Sequence, residues 1–395
     1  MSFLSEFAVI FKKNIRDYGM YIALFVIIVV FSILTGGSFI APVNISNLIN
    51  QTGYIAVMAV GMTLVIIIRH IDLSVGYLSG FLGAVAAIFM TQMGMRSFIS
   101  IPVVLVLGGL IGLGYSYLIA KVNVPAFVVT LGGMLFFHGM EIKVTEATGT
   151  INIPNVYFNA IGNGFIPSLG QIGGLCISSL ILGVIGILFF IYFQNKERNT
   201  KIKYNFKVIS MPFFIMKIIL IVIIIGAICV ILAGNNGFSW TLVIMGIVVF
   251  VYNFLMNKTT LGRHIYGVGG NPEAAELSGI SVAKITTLVF ISMGVMVALS
   301  GILYASRMQS AAPTGGTGFE LLAIAAAFIG GASPNGGIGK VPGSLIGALV
   351  MASLTNGMNL MGLGSSYQFI IQGVILVLAV IFDITTRKQS AKAKT

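Results

Sequence analysis

Charge is what this chain lacks. Only 8% of its residues are charged, and only 10 of 395 are acidic, where a soluble globular domain carries about a quarter charged residues. That scarcity excludes an ordinary soluble globule. Cysteine is as rare: Cys176 and Cys229 both fall in apolar runs without a metal-ligand neighbour and read as small lipid- or core-facing hydrophobes. The three histidines, His70, His138 and His264, share no spacing, so no metal site is expected. A nucleophile elbow, a phosphate loop, an HExxH pair and a carboxylate pair are all missing. Gly267-Val268-Gly269-Gly270 lacks both the third glycine at the right offset and a preceding soluble strand. The chain is therefore not expected to be an enzyme or to bind a cofactor, and fuel for uphill work would have to come from a partner.

What is present is apolar. Hydrophobic residues make up 57% of the chain and the mean hydropathy is +1.04. Runs such as Tyr21 to Leu34, Ile101 to Ala120 and Ile218 to Ala233 are almost uncharged and long enough to cross, or nearly cross, a hydrocarbon core roughly 30 Å thick. The ten-residue alternation of an outer-membrane barrel is absent. The expectation is an all-α, polytopic transmembrane helical bundle of about 10–12 spans. They fall near 19–34, 53–68, 73–92, 99–120, 126–143, 171–193, 211–233, 238–256, 284–306, 319–332, 343–361 and 366–384. The span at 319–332 is short and ends in glycines, as a broken or re-entrant helix would.

The net charge of +12 orients the chain rather than marking a nucleic-acid partner, because basic residues collect in cytoplasmic loops. With both termini inside, all Lys and Arg except Arg96, Lys143 and Arg307 fall on the inner side. Residues 1–18 read as a cytoplasmic interfacial segment, with Phe3, Phe7, Ile10 and Phe11 at helical spacing before Lys12, Lys13 and Arg16. Residues 19–385 form a single transmembrane domain and 386–395 a basic cytoplasmic tail. An outer insert at 144–170 offers a docking surface, and a basic inner insert at 194–210 suits a linker or an anionic-lipid contact. Spans two to five and nine to twelve would form an inverted repeat. Small-xxx-small spacings at Gly108/Gly112 and Gly343/Gly347 point to close helix packing.

One polar stretch interrupts the apolar pattern, GNPEAAELSGIS at 270–281. Asn271 is a good N-cap, Pro272 suits the first helical position, and Glu273 and Glu276 lie where the helix dipole favours negative charge. Gly279 supplies a left-handed stop. These signals predict a helix over 272–278 within a cytoplasmic loop, 257–284. It is either a connector or a surface that something touches, and the small Ala274 and Ala275 would let it fit closely into a groove on a partner.

The stretch resembles the EAA-then-Gly loop of ABC importer permeases. Further matches occur in order: HIDLSVG at 70–76, NVPAFVVTLGGM at 123–134, TTLGRHIYGVGGNPEAAELSGISV at 259–282, and FELLAIAAAFIGGASPNGGIGKVPGSLIGAL at 319–349. Together they resemble the monosaccharide permeases of ABC importers, the ribose, galactose and xylose group, and above all its xylose and multiple-monosaccharide branch. The likeness covers most of 40–385, but little of 144–170 or 194–217. It implies a permease of the cytoplasmic (inner) membrane that moves monosaccharides. ATP and Mg would sit on a separate ABC ATPase subunit. The coupling helix would comprise Asn271, Pro272, Glu273, Ala274, Ala275 and Gly279. An external sugar-binding protein and a permease homodimer are also implied. The same architecture could carry a nucleoside, an autoinducer-like sugar or a branched-chain amino acid, or the chain could be a stand-alone secondary transporter.

Ionisable groups at membrane depth are few: Asp72, Glu320 and Glu141. Such groups usually face an interior or cavity. Asp72, with Ser74 following, either caps the third span or lines a pathway. Glu320 is either the acid of a first helical turn or a pathway group. Asn356, Asn359 and Gln372 offer the neutral hydrogen-bonding partners a sugar needs, and tying helices together explains them nearly as well.

Overall fold

A computed structural model describes residues 15–206 and 208–392. The interfacial segment expected at the N-terminus falls almost wholly in residues 1–14, outside the described residues. Fifteen helices follow one another in the described chain. The first five are α1 (Ile15–Leu34), α2 (Pro42–Ile67), α3 (Val75–Thr91), α4 (Ser97–Ala120) and α5 (Ala126–Thr145). A two-residue strand β1 (Ile151–Asn152) and the short α6 (Val156–Asn163) lead to a small hairpin, β2 (Gln171–Ile172) with β3 (Leu175–Cys176). Then come α7 (Ile177–Lys203), α8 (Met211–Ala233), α9 (Trp240–Lys258), α10 (Thr260–Gly270), α11 (Pro272–Leu277) and α12 (Val282–Met308). Strand β4 (Ser310–Ala311), α13 (Phe319–Ile329), α14 (Val341–Leu360) and α15 (Ser365–Lys392) complete the order.

Among the described residues, eight helices are long and apolar enough to cross a membrane: α2, α4, α5, α7, α8, α9, α12 and α14. Shorter apolar segments occupy Gly19–Leu34, Val75–Thr91, Phe319–Ile329 and Ser365–Leu378. The fold is the expected polytopic helical bundle. Helix α15 runs through the basic stretch to Lys392, consistent with the good helix formers Lys, Gln, Arg and Ala found there.

Apolarity does not decide which helices lie inside. Helix α8 is the most apolar span, yet only 11% of it is buried within the chain, while α2 is 89% buried. Lipid satisfies an apolar side chain as well as protein does, so interior positions go to residues that permit close approach. The centre is α12, which packs on α4, α2 and α3. Gly108 and Gly112 of α4 lie against the Gly294 and Phe290 backbone of α12, and Gly343 and Gly347 of α14 lie against Gly330 and Ala326 at α13. Both small-residue spacings are thus helix contacts within this chain.

Two short helices begin inside the bundle. After α2 the chain does not leave directly: residues 68–74 turn back among the helices. The His70 ring lies 6.0 Å from that of Phe290 on α12, and Thr130 Oγ1 of α5 donates to the Ile71 carbonyl at 3.4 Å. Helix α3 then starts at Val75. After α12, residues 309–318 also turn inward, tied to the insert at 144–170 where β4 pairs with β1 and Ile153 N donates to Gln309 O at 2.8 Å. Helix α13 starts from this loop. Its 11 residues span about 16 Å at 1.5 Å rise, half a hydrocarbon core, which accounts for the short span expected at 319–332. The first turns of α3 and α13 meet where Gly76 abuts Gly316 and the Glu320 carboxylate. Phe319 stacks on Tyr54 at 5.0 Å, with Tyr304 edge-on at 4.9 Å.

The glycine contacts give a direct test. A methyl group at Gly294 would fall on the Gly108 carbonyl, whereas one at Gly114 meets nothing within 4 Å. Gly294→Ala should lower stability by about 1–3 kcal/mol, read as earlier thermal unfolding in detergent. Gly114→Ala should match the parent.

Candidate functional site

At one end of the bundle, α9, α10, α11 and the start of α12 form a small polar projection. Thr259 caps α10, accepting from Gly262 N at 3.3 Å. Asn271 Oδ1 accepts from Ala274 N at 3.0 Å and starts α11, with Pro272 in its first turn. The helix ends one residue earlier than expected, at Leu277. Gly279 has φ +81°, its N–H donates to Glu276 O at 2.9 Å, and Ile280 N donates to Ala275 O at 3.0 Å. This paired closure satisfies the last carbonyls and requires a left-handed residue at Gly279. Ser281 then caps α12, accepting from Lys284 N at 3.3 Å.

Glu273, Ala274, Glu276 and Ser278 are exposed, and Leu277 is 91% exposed. Ala275 is not part of that surface: it is buried in the main core cluster. Neighbouring residues on a helix point in different directions, so the two alanines cannot both serve one external groove. Leu277 takes the outward place. Sequence reading passed over it, although an apolar side chain in an otherwise polar turn was the available signal.

The pathway candidates separate into two groups. Asp72 Oδ1 accepts from Ser74 N at 2.9 Å and from Ser74 Oγ at 2.6 Å. Ser74, and not Asp72, occupies the cap position of α3, and its side chain makes no cap bond. The expected cap is corrected accordingly: Asp72 closes the turn before the helix, two residues ahead of the cap position. Glu320 lies in the first turn of α13, buried, with Oε2 over Gly76 and without a hydrogen-bond partner. Glu141, on α5, is fully buried, both carboxylate oxygens are unpartnered, and one rests over Gly80 and Gly315. These two acids flank the loop that brings α13 to α3.

Asn356, Asn359 and Gln372 lie elsewhere. Asn356 and Asn44 exchange amide hydrogen bonds at 2.8 and 3.0 Å, joining α14 to α2. Gln372 Nε2 donates to Thr355 Oγ1 at 3.0 Å, joining α15 to α14. Asn359 accepts from Gln368 at 2.6 Å and is exposed. All three make side-chain bonds within the chain and do not converge with Asp72 or Glu320.

A multi-pass bundle in which short helices start within the membrane layer, with a capped helix projecting at one end, belongs to the class of integral membrane transport proteins. More particularly, the chain belongs to the family described as branched-chain amino acid transport system / permease component, which matches residues 44–380. It is 37% identical over 376 residues to the xylose transport system permease protein XylH of Haemophilus influenzae, covering 95% of this chain and 98% of that one. The corresponding protein of Escherichia coli is 36% identical over 378 residues, covering 95% and 94%. The ribose import permease protein RbsC of Escherichia coli is 34% identical over 372 residues, covering 94% and 95%. No solved structure matches the chain.

Asp72→Ala removes the acceptor of two hydrogen bonds from Ser74 and should cost about 1–3 kcal/mol. Asp72→Asn keeps an oxygen at that place and should cost less. Thermal unfolding of the purified variants in detergent ranks the two, and equal losses would remove the role given to the turn.

Proposed function

We propose that this chain is the membrane-spanning subunit of an ATP-binding-cassette importer for monosaccharides, with xylose the favoured substrate. One observation carries the reading: the likeness to proteins named as xylose permeases runs end to end, over 95% of the chain. In this reading the α10–α11 end faces the cytoplasm, as do both termini, in the cytoplasmic (inner) membrane. Two copies pair around the pathway. ATP and Mg are held by a separate ATPase subunit that docks on α11 through Glu273, Ala274, Glu276 and Leu277. A sugar-binding protein delivers substrate to the opposite end, where α6 and the β1–β4 ladder form the outer plate.

The chemistry of the interior supports an uncharged cargo. A sugar needs hydroxyl and amide partners, whereas an amino acid brings a carboxylate that needs a cation or a free helix N-terminus. The two helix starts inside this bundle already have acids beside them, Asp72 before α3 and Glu320 in α13. The family description gives branched-chain amino acids a claim, so the substrate test includes one. With the ATPase subunit and binding protein reconstituted in vesicles, xylose should stimulate ATP hydrolysis and leucine should not. Stimulation by leucine alone would reverse the assignment.

Glu273→Lys reverses charge on the exposed first turn of α11. It should abolish xylose uptake while leaving yield, membrane insertion and thermal stability at the parent level. Uptake coupled to hydrolysis at parental efficiency would remove α11 from the role.

A further inference from the structure

Behind α11, three segments distant in sequence meet at one point. Arg69 follows α2 with a left-handed backbone, φ 65°. Its Nε donates to Gly269 O at 2.7 Å, and its second guanidinium nitrogen donates to Gly270 O. Those carbonyls end α10 and have no partner within their own helix, and the negative end of a helix favours a cation. The terminus of α10 is thus closed by a side chain 200 residues away.

The third segment is the loop 331–340 between α13 and α14. Gly337 N donates to Ile67 O at 2.8 Å, and Tyr266 Oη of α10 donates to Gly339 O at 2.7 Å. Gly336, at φ +77°, lies against both the Arg69 side chain and Gly269 O, where no Cβ fits. The Arg69 stem is held between the α10 terminus and this loop.

From the junction, residues 68–74 lead forward to α3 and residues 331–340 lead back to α13. Those are the two short helices whose first turns meet at Gly76 and Gly316. The connections form a closed ring: α10, Arg69, α3, α13, the 331–340 loop, and α10 again. Asn271, which starts α11, directly follows the carbonyls that Arg69 holds.

We propose that this three-way junction, clasped by Arg69, transmits displacement of α11 to α3 and α13 together. Arg69 is a positioning residue: it touches neither cargo nor motor and acts by making two loops move as one with the base of the coupling helix. The proposal rests on the reading that an ATPase subunit docks on α11. It differs from a purely stabilising cap in what its loss does. The docking surface stays intact, so hydrolysis continues, while work no longer reaches the short helices.

The test uses the assembled complex in vesicles, with radiolabelled xylose as the probe. Arg69→Gly removes the clasp while easing the left-handed backbone, so folding is preserved. The complex should assemble and hydrolyse ATP at the parental rate, and xylose taken up per ATP hydrolysed should fall about tenfold, as expected for two lost charge-assisted hydrogen bonds. Arg69→Lys, a point charge without the paired fork, should fall between the two. Tyr266→Phe deletes one hydroxyl at the other side of the junction and should lower the same ratio about threefold through one lost hydrogen bond. It decides the matter if the glycine variant fails to assemble. Uptake per ATP at the parental value in an assembled Arg69→Gly complex, or in Tyr266→Phe, overturns the proposal. Glu273→Lys, run in parallel, separates the two readings. If it leaves coupling intact, the docking assignment fails; if it uncouples while the junction variants do not, only the junction fails.

Discussion

Backbone amides and carbonyls cannot be left open in hydrocarbon, and most of this architecture follows from that constraint. Helices satisfy it alone. The non-helical stretches 68–74, 309–318 and 331–340 cannot, and each bonds to other parts of the chain. Thr130 reaches the Ile71 carbonyl, the β1–β4 ladder holds Gln309 through Ala311, and Ile67 holds Gly337. Enclosure of these stretches is what places the starts of α3 and α13 inside the bundle.

Enclosure demands close approach, and close approach demands small residues. Apolarity alone therefore does not set burial in a membrane protein, and small residues mark the closest contacts. Helix α2, with Gly53, Ala56, Ala59 and Gly61 set among its aliphatics, sits among its neighbours, while α7 and α8, rich in Ile, Leu and Phe, turn most of their surface outward. At the tightest points a glycine of one helix lies on the backbone of another, as Gly294 does on Gly108 and Gly343 on Gly330.

The polar groups inside the bundle divide by task. Asn44 with Asn356, and Gln372 with Thr355, bind helix to helix. Asp72 shapes the turn that admits α3. Glu141 and Glu320 lie on either side of the inward loop over glycines. The ion pairs Lys143–Glu146 and Lys201–Glu197 lie on exposed side chains, away from these groups. A pathway beside such groups suits a neutral, hydroxyl-bearing cargo better than a charged one.

Much of this was legible from residue order, because helix positions and caps are local events. Hydropathy located the apolar segments, and α11 appeared with its Asn271 cap and Gly279 stop in place, since each of those signals acts within one turn. Burial was not legible, because lipid and protein accept the same side chains: Ala274 and Ala275 look alike in sequence, and only packing turned one outward and the other into the core. Nor could the residue order reveal that Arg69 closes a helix 200 residues away, or that α3 and α13 start face to face. Those contacts depend on where the chain returns in space, and that is decided by tertiary packing.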